Sequence, residues 1–124
     1  LEALAFNYVI ARTDTGHIGT GNPTWALNNN LGLINYGYRA THLTALVSKE
    51  IIMKYYSAPP KYSYFLSCSN GGRQGLMEAQ RYPTDFDGII AGDPAYDFTG
   101  STLKIVQMMQ SQYPHEVFLH PTFP

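Results

Sequence analysis

The period of apolar and polar positions changes several times along the chain, and each change marks an element. Leu1 to Ala5 predicts the end of a helix. Phe6 to Arg12 (FNYVIAR) is a run of branched and aromatic residues and predicts a buried strand. Thr13–His17 then predicts the loop at its carboxyl end. Residues 18 to 32 are rich in Gly and Asn and predict a long loop. From about Leu33 the pattern turns helical. Over Arg39 to Tyr56, Leu43, Leu46, Val47 and Ile51 fall at i, i+3, i+4 and i+8, one apolar stripe, with Lys49, Glu50 and Lys54 largely off it. Pro59 and Pro60 stop that helix.

Tyr62, Tyr64, Phe65 and Leu66 predict a second strand. Gly71, Gly72 and Gly75 lead into a helix carrying Leu76, Met77 and Ala79, which ends at Tyr82-Pro83. Thr84–Asp87 is a turn, Gly88–Gly92 (GIIAG) a short buried strand and Asp93–Asp97 its exit loop. A last amphipathic helix covers Thr102 to Gln112, with Leu103, Val106 and Met109 as its inner face. Strands alternating with helices predict an α/β fold of parallel strands joined by right-handed crossovers. Ligands bind beyond the carboxyl ends of such strands. That rule gathers three loops, Thr13–His17, Cys68–Gly72 and Asp93–Asp97, at one edge.

The stretch from Tyr62 to Pro83 carries the chemistry. A serine on a sharp strand-to-helix turn is the nucleophile elbow of α/β-hydrolases, and Ser69 stands at that place. The turn lifts the hydroxyl off the sheet toward a base, and the N–H of the next residue, Asn70, points to the same spot. The run is S-C-S-N-G, with Ser67 where a first glycine is usual. Ser67 is small, so the packing demand is partly met. A glycine-rich helix start that only packs, or that holds an anion, is the plainer reading. No G-K-[ST] closes the glycine run, which excludes a phosphate loop of that type.

Composition narrows the classes. At 124 residues the chain suits one domain at most. With 44% hydrophobic and 14% charged residues it is neither disordered nor highly charged. A net charge of −1 gives no electrostatic reason to expect nucleic acid or an anionic membrane as partner. No apolar run approaches the roughly 20 residues of a membrane span. The ten tyrosines suit packing against aromatic or sugar-like ligands, and equally an ordinary core and rim. The single cysteine, Cys68, is either a small buried apolar residue or half of a bridge to a distant partner. With no initiator Met, no signal peptide and a helix already under way at Leu1, the chain reads as an internal fragment.

Several blocks in order resemble the tannase/feruloyl esterase family of secreted α/β-hydrolases. They are TDTGH at Thr13–His17, WAL at Trp25–Leu27, INYGYRATHLT at Ile34–Thr44, YYSAPPKYSYF at Tyr55–Phe65, CSNGGRQGLMEAQRYP at Cys68–Pro83 and DFDGIIAGDPA at Asp85–Ala95. The family also includes the enzyme that cleaves mono(hydroxyethyl) terephthalate, so it does not fix the substrate. The resemblance implies a partial α/β-hydrolase fold, with residues 1–98 as catalytic core and 99–124 as a core-to-lid helix and the start of a lid. It implies a secreted carboxylic ester hydrolase acting on small phenolic-acid esters through an acyl-serine. Ser69 is then the nucleophile, the Asn70 N–H an oxyanion donor, and Cys68 a half-cystine bridged beside the triad histidine. No cofactor or metal is expected here, although the family's lid carries a structural Ca²⁺ site. The triad Asp and His and the glycine-rich oxyanion loop are expected outside this chain, which on its own would be inactive. A non-catalytic module binding phenolic or carbohydrate ligands is the alternative, and a serine peptidase or acyltransferase a third.

The remaining candidates weigh less. Asp14 and His17 sit in a loop at the expected active edge, where His17 either meets the substrate or closes the loop by a hydrogen bond with Asp14. His42, at the start of the long helix, reads as structural. Asp93 and Asp97 come too early for the family's triad acid. HEVFLH at His115–His120 is one residue too long for H-E-x-x-H. On a helix its histidines would stand about 140° apart, so a metal site is rejected. Arg73 is expected to pair with an acid or to cover the helix surface.

Overall fold

The structure, a computed structural model, describes residues 2–18 and 22–112. It divides into two units, residues 1–94 and 95–124. The second contains α4 (Phe98–Gln112), which begins four residues earlier than the sequence pattern suggests. Asp97 explains the earlier start, because its carboxylate accepts from the Gly100 N–H at 2.9 Å and caps the helix. None of the described α4 residues is buried, so Leu103, Val106 and Met109 do not form an inner face.

The first unit is built on one parallel pair, β1 (Tyr64–Cys68) and β2 (Gly88–Gly92), in register from Tyr64 opposite Gly88 to Cys68 opposite Gly92. Between them runs α3 (Asn70–Arg81), which packs on one face of the pair. Phe65 and Ser67 turn toward this helix, while Tyr64, Leu66 and Cys68 alternate to the exposed side. Glycines let α3 approach closely. A Cβ at Gly72 would sit 2.5 Å from Gly92 O and 2.8 Å from Pro94 Cα, and one at Gly75 would press on Ile89 and Phe65 at 3.1 Å. At the amino end of the pair, Asp87 accepts from the Ser63 N–H at 2.6 Å and returns its own N–H to Ser63 O at 2.8 Å.

Upstream, α1 (Asn30–Ile34) passes through one wide π-type turn, Asn35–Arg39, into α2 (Ala40–Tyr56). The expected loop over residues 18 to 32 is therefore shorter than its composition suggests. Its asparagines are caps: Asn22 accepts from Thr24 N–H to start a tight turn at Pro23–Ala26, and Asn29 accepts from Gly32 N–H to start α1.

Two expectations fail here. Phe6–Arg12 is not a strand. Glu2–Phe6 forms a tight helical turn, and residues 8 to 14 follow without a ladder. A strand exists through its hydrogen-bonded neighbour, and among the described residues the only ladder is β1 with β2. The apolar stripe of α2 is also exposed, at 41% for Leu43 and 59% for Ile51. The buried line of α2 is Thr41 and Ala45, on the side of the helix opposite that stripe. That line brings His42 and Lys49 to Asp85 rather than leucines to a core.

Candidate active site

Ser69 is the single residue between β1 and α3. Its N–H extends the parallel ladder by donating to Gly92 O at 3.0 Å, and its C=O accepts from Arg73 N–H to open the helix. The residue must therefore turn the chain by itself, and it does so at φ 59° and ψ −118°. That conformation is sparsely populated for any residue with a Cβ and costs on the order of 1–3 kcal/mol. It holds Ser69 exposed at the carboxyl end of both strands, and its side chain makes no cap bond to the helix. Ser67, in place of a first glycine, is accommodated by Gly71: a Cβ at 71 would lie 1.8 Å from Ser67 Oγ. The serine hydroxyl fills the space that glycine leaves.

Asn70 is the first residue of α3, so its N–H has no acceptor within the helix. Its side chain is pinned from two directions. Tyr36 Oη donates to Asn70 Oδ1 at 3.2 Å and Arg73 Nε donates to the same oxygen at 2.9 Å. Arg73 was expected on the surface or against an acid. It is instead buried, and its other two nitrogens donate to Gly37 O and Tyr36 O, each at 2.9 Å. These carbonyls belong to the π-type turn. The guanidinium also lies 4.9 Å from the Tyr36 ring centre.

The Thr13–His17 loop reaches this assembly through aromatic contacts. His17 stacks on Trp25 at 4.2 Å, and both rings meet Tyr36, at 5.5 and 5.2 Å. Asp14 folds the loop by accepting from Gly16 N–H at 2.8 Å, and its C=O accepts from His17 N–H at 3.4 Å. The His17 ring nitrogen lies 3.4 Å from Thr15 Oγ1. Cys68 is exposed with a free thiol. Asp93, exposed and at φ 38°, leads out of β2, and Asp97 caps α4 in the second unit. His115–His120 lies outside the described residues.

A second polar cluster was not foreseen. His42 Nδ1 meets Asp85 Oδ2 at 2.5 Å, and the Glu78 carboxyl lies with them, one donor atom from each residue within 4.8 Å of the others. A metal ion between His42 and Asp85 would hold their ligand atoms about 3 Å apart, so the 2.5 Å contact is a hydrogen bond. Glu78 is fully buried, and neither of its oxygens accepts a hydrogen bond. Burial, and then the Asp85 charge, raise its pKa from 4.5 to about 7. Asp85 is itself an acceptor, so the two carboxyls are reconciled when Glu78 carries a proton and donates it. Lys49 adds a bond to the Asp85 carbonyl and His42 stacks on Tyr82 at 3.8 Å. Asp85 precedes β2 and Glu78 ends the row Gly72, Gly75, Glu78 on α3, so this cluster sits at the opposite end of the helix from Ser69. That three-residue spacing is the signal in the sequence: a row that faces the sheet with two glycines places its third member there too.

A parallel β–α–β unit with an exposed serine in a strained turn at its carboxyl end makes the described part of the chain a partial α/β fold. The chain belongs to the tannase and feruloyl esterase family, whose pattern matches residues 1–122. It is 45% identical over 116 residues to a probable feruloyl esterase of Arthroderma benhamiae, covering 85% of this chain and 21% of that protein. It is 43% identical over 94 residues to probable feruloyl esterase B-2 of Aspergillus flavus, covering 76% and 18%. The crystal structure of feruloyl esterase B from Aspergillus oryzae superposes with a TM-score of 0.64 at 39% identity, covering 68% of this chain and 17% of that one. The chain thus spans about a fifth of the length of the curated relatives it matches. Among the described residues, no helix is long and apolar enough to cross a membrane.

Proposed function

We propose that this chain supplies the nucleophile of a secreted carboxylic ester hydrolase that acts on esters of phenolic acids. The observation that carries the reading is Ser69, exposed and strained at the junction of β1 and α3. Its Oγ attacks the ester carbonyl carbon while a histidine takes its proton. The carbonyl electrons move onto oxygen, where the Asn70 N–H and a second donor hold them. Collapse of this intermediate expels the alcohol, which takes the proton back from the histidine. Water then hydrolyses the acyl-serine by the same steps. The substrate class rests on the relatives' names, which are those of feruloyl esterases.

Neither His17 nor His42 suits the base. His17 is stacked on Trp25, and His42 is committed to Asp85 beyond the far end of α3. Following the family resemblance, we assign the base and the triad acid to residues outside 1–124, and on that assignment this polypeptide alone should turn over aryl esters poorly or not at all. The test is covalent labelling of the full-length protein with a serine-directed phosphonate, together with Ser69→Ala. We expect label on Ser69, and a loss of turnover on the order of 10⁴ or more in the variant. Turnover that survives Ser69→Ala removes the proposal. Absence of label with phenolic ligands still bound would favour a binding module instead.

A further inference from the structure

Asn70 has unusually firm support for a residue whose role in the proposed reaction is played by its backbone. Its side-chain oxygen takes two donors, Tyr36 Oη from the π-type turn and Arg73 Nε from its own helix. Arg73 then closes the ring by binding the carbonyls of Tyr36 and Gly37. The result is a closed hydrogen-bonded loop that ties the first turn of α3 to the turn between α1 and α2. Nothing in helix stability asks for it. A cation in the first turn of a helix opposes the helix dipole. Its burial at 8% exposure costs more. The sign that is wrong for the helix is right for an anion forming at its amino end.

From this geometry we propose that Arg73 and Tyr36 are positioning residues, which fix Asn70 so that its N–H meets the oxyanion formed at Ser69. The inference rests on the reading above, in which Asn70 donates to that oxyanion. The direction of the Asn70 N–H depends on the peptide plane between Ser69 and Asn70. A side chain anchored from two elements holds that plane against rotation. The aromatic stack of His17 and Trp25 backs Tyr36 and completes the anchor. An oxyanion donor is worth about 10²–10³ in rate when it is removed. One that is present but loosely aimed should lose part of that, in kcat rather than KM.

The test compares Tyr36→Phe, Arg73→Lys and Asn70→Ala in the full-length protein, with hydrolysis of a feruloyl ester as readout. Tyr36→Phe keeps the ring and removes one anchoring bond, and kcat should fall about tenfold with KM within a factor of two. Arg73→Lys keeps the charge and loses the fork, and should fall further, toward a hundredfold. Placed on Asn70→Ala, Tyr36→Phe should cost nothing more, because its effect passes through the Asn70 side chain. An unchanged kcat in folded Tyr36→Phe overturns the proposal. So does an equal loss in both backgrounds, which would mark a structural role only. Should Arg73→Lys not fold, the Tyr36 and Asn70 variants decide alone. Retained turnover in Ser69→Ala would instead sink the parent reading, and the two failures are distinguishable.

Discussion

Replacing Glu78 by Gln should remove a specific pH dependence of stability. Folded Glu78 has its pKa raised from 4.5 to about 7, first by burial and then by Asp85. Between those values the native protein holds a proton that the unfolded chain releases, so native stability falls as pH rises through the window. Below 4.5 both states are protonated and the contribution is fully present. Above about 7 both are ionised and it is gone. At about 1.4 kcal/mol for each tenfold change in proton affinity, the gap corresponds to about 3 kcal/mol. Glutamine keeps the shape and retains a donor for Asp85 but cannot ionise. The assay is urea unfolding of the wild type and Glu78→Gln at pH 5 and pH 8. Near pH 5 the two should have similar midpoints. At pH 8 the variant should be the more stable, by up to about 3 kcal/mol. The difference between the two proteins isolates the contribution of position 78. A wild type and variant that lose the same stability between the two pH values would refute the reasoning.

Gly72→Ala should destabilise the protein by about 1–3 kcal/mol, seen as a lower thermal midpoint, because its Cβ would meet the backbone of Gly92 and Pro94. Gly37→Ala is the matching control: nothing lies within 4 Å of its Cβ position, and stability should hold or rise slightly. Asp87 is held below the ordinary carboxylate pKa, first by the Ser63 N–H and then by the Ser63 hydroxyl. Its contribution is present above 3.8 and is lost as pH falls through the depressed value, so Asp87→Asn should abolish that part of the acid sensitivity in an acid-unfolding titration.

What the chain reveals of itself before folding follows from the range of each interaction. The β1–Ser69–α3–β2 unit was readable because its signals are local: an aromatic strand, a serine, three glycines at helix spacing and a second short apolar strand. Those boundaries agree with the structure to within one or two residues at most ends. The expected strand at Phe6–Arg12 failed because composition states a preference for extension and says nothing of a hydrogen-bonding neighbour. The α2 stripe failed for a related reason. Periodicity finds the apolar side of a helix, whereas the buried side here is chosen by polar anchors, His42 and Lys49 on Asp85. The same limit hid the support of Asn70. Arg73 and Tyr36 lie 37 residues apart and meet only through a wide helical turn that no local pattern announces. Arg73 did leave one clue, a cation at the start of a helix where an acid is usual.

The pairing of Asp87 with Ser63 acts as a ruler for the other end of the sheet. With five matched positions between them, β1 and β2 are clamped at their amino ends, and the height at which the chain leaves the sheet is counted from that clamp. A slip of one residue would turn Ser67 away from Gly71 and deliver a different residue to the bend. The location of the Ser69 hydroxyl is in this sense metered from about five residues away, by a carboxylate that never comes near it.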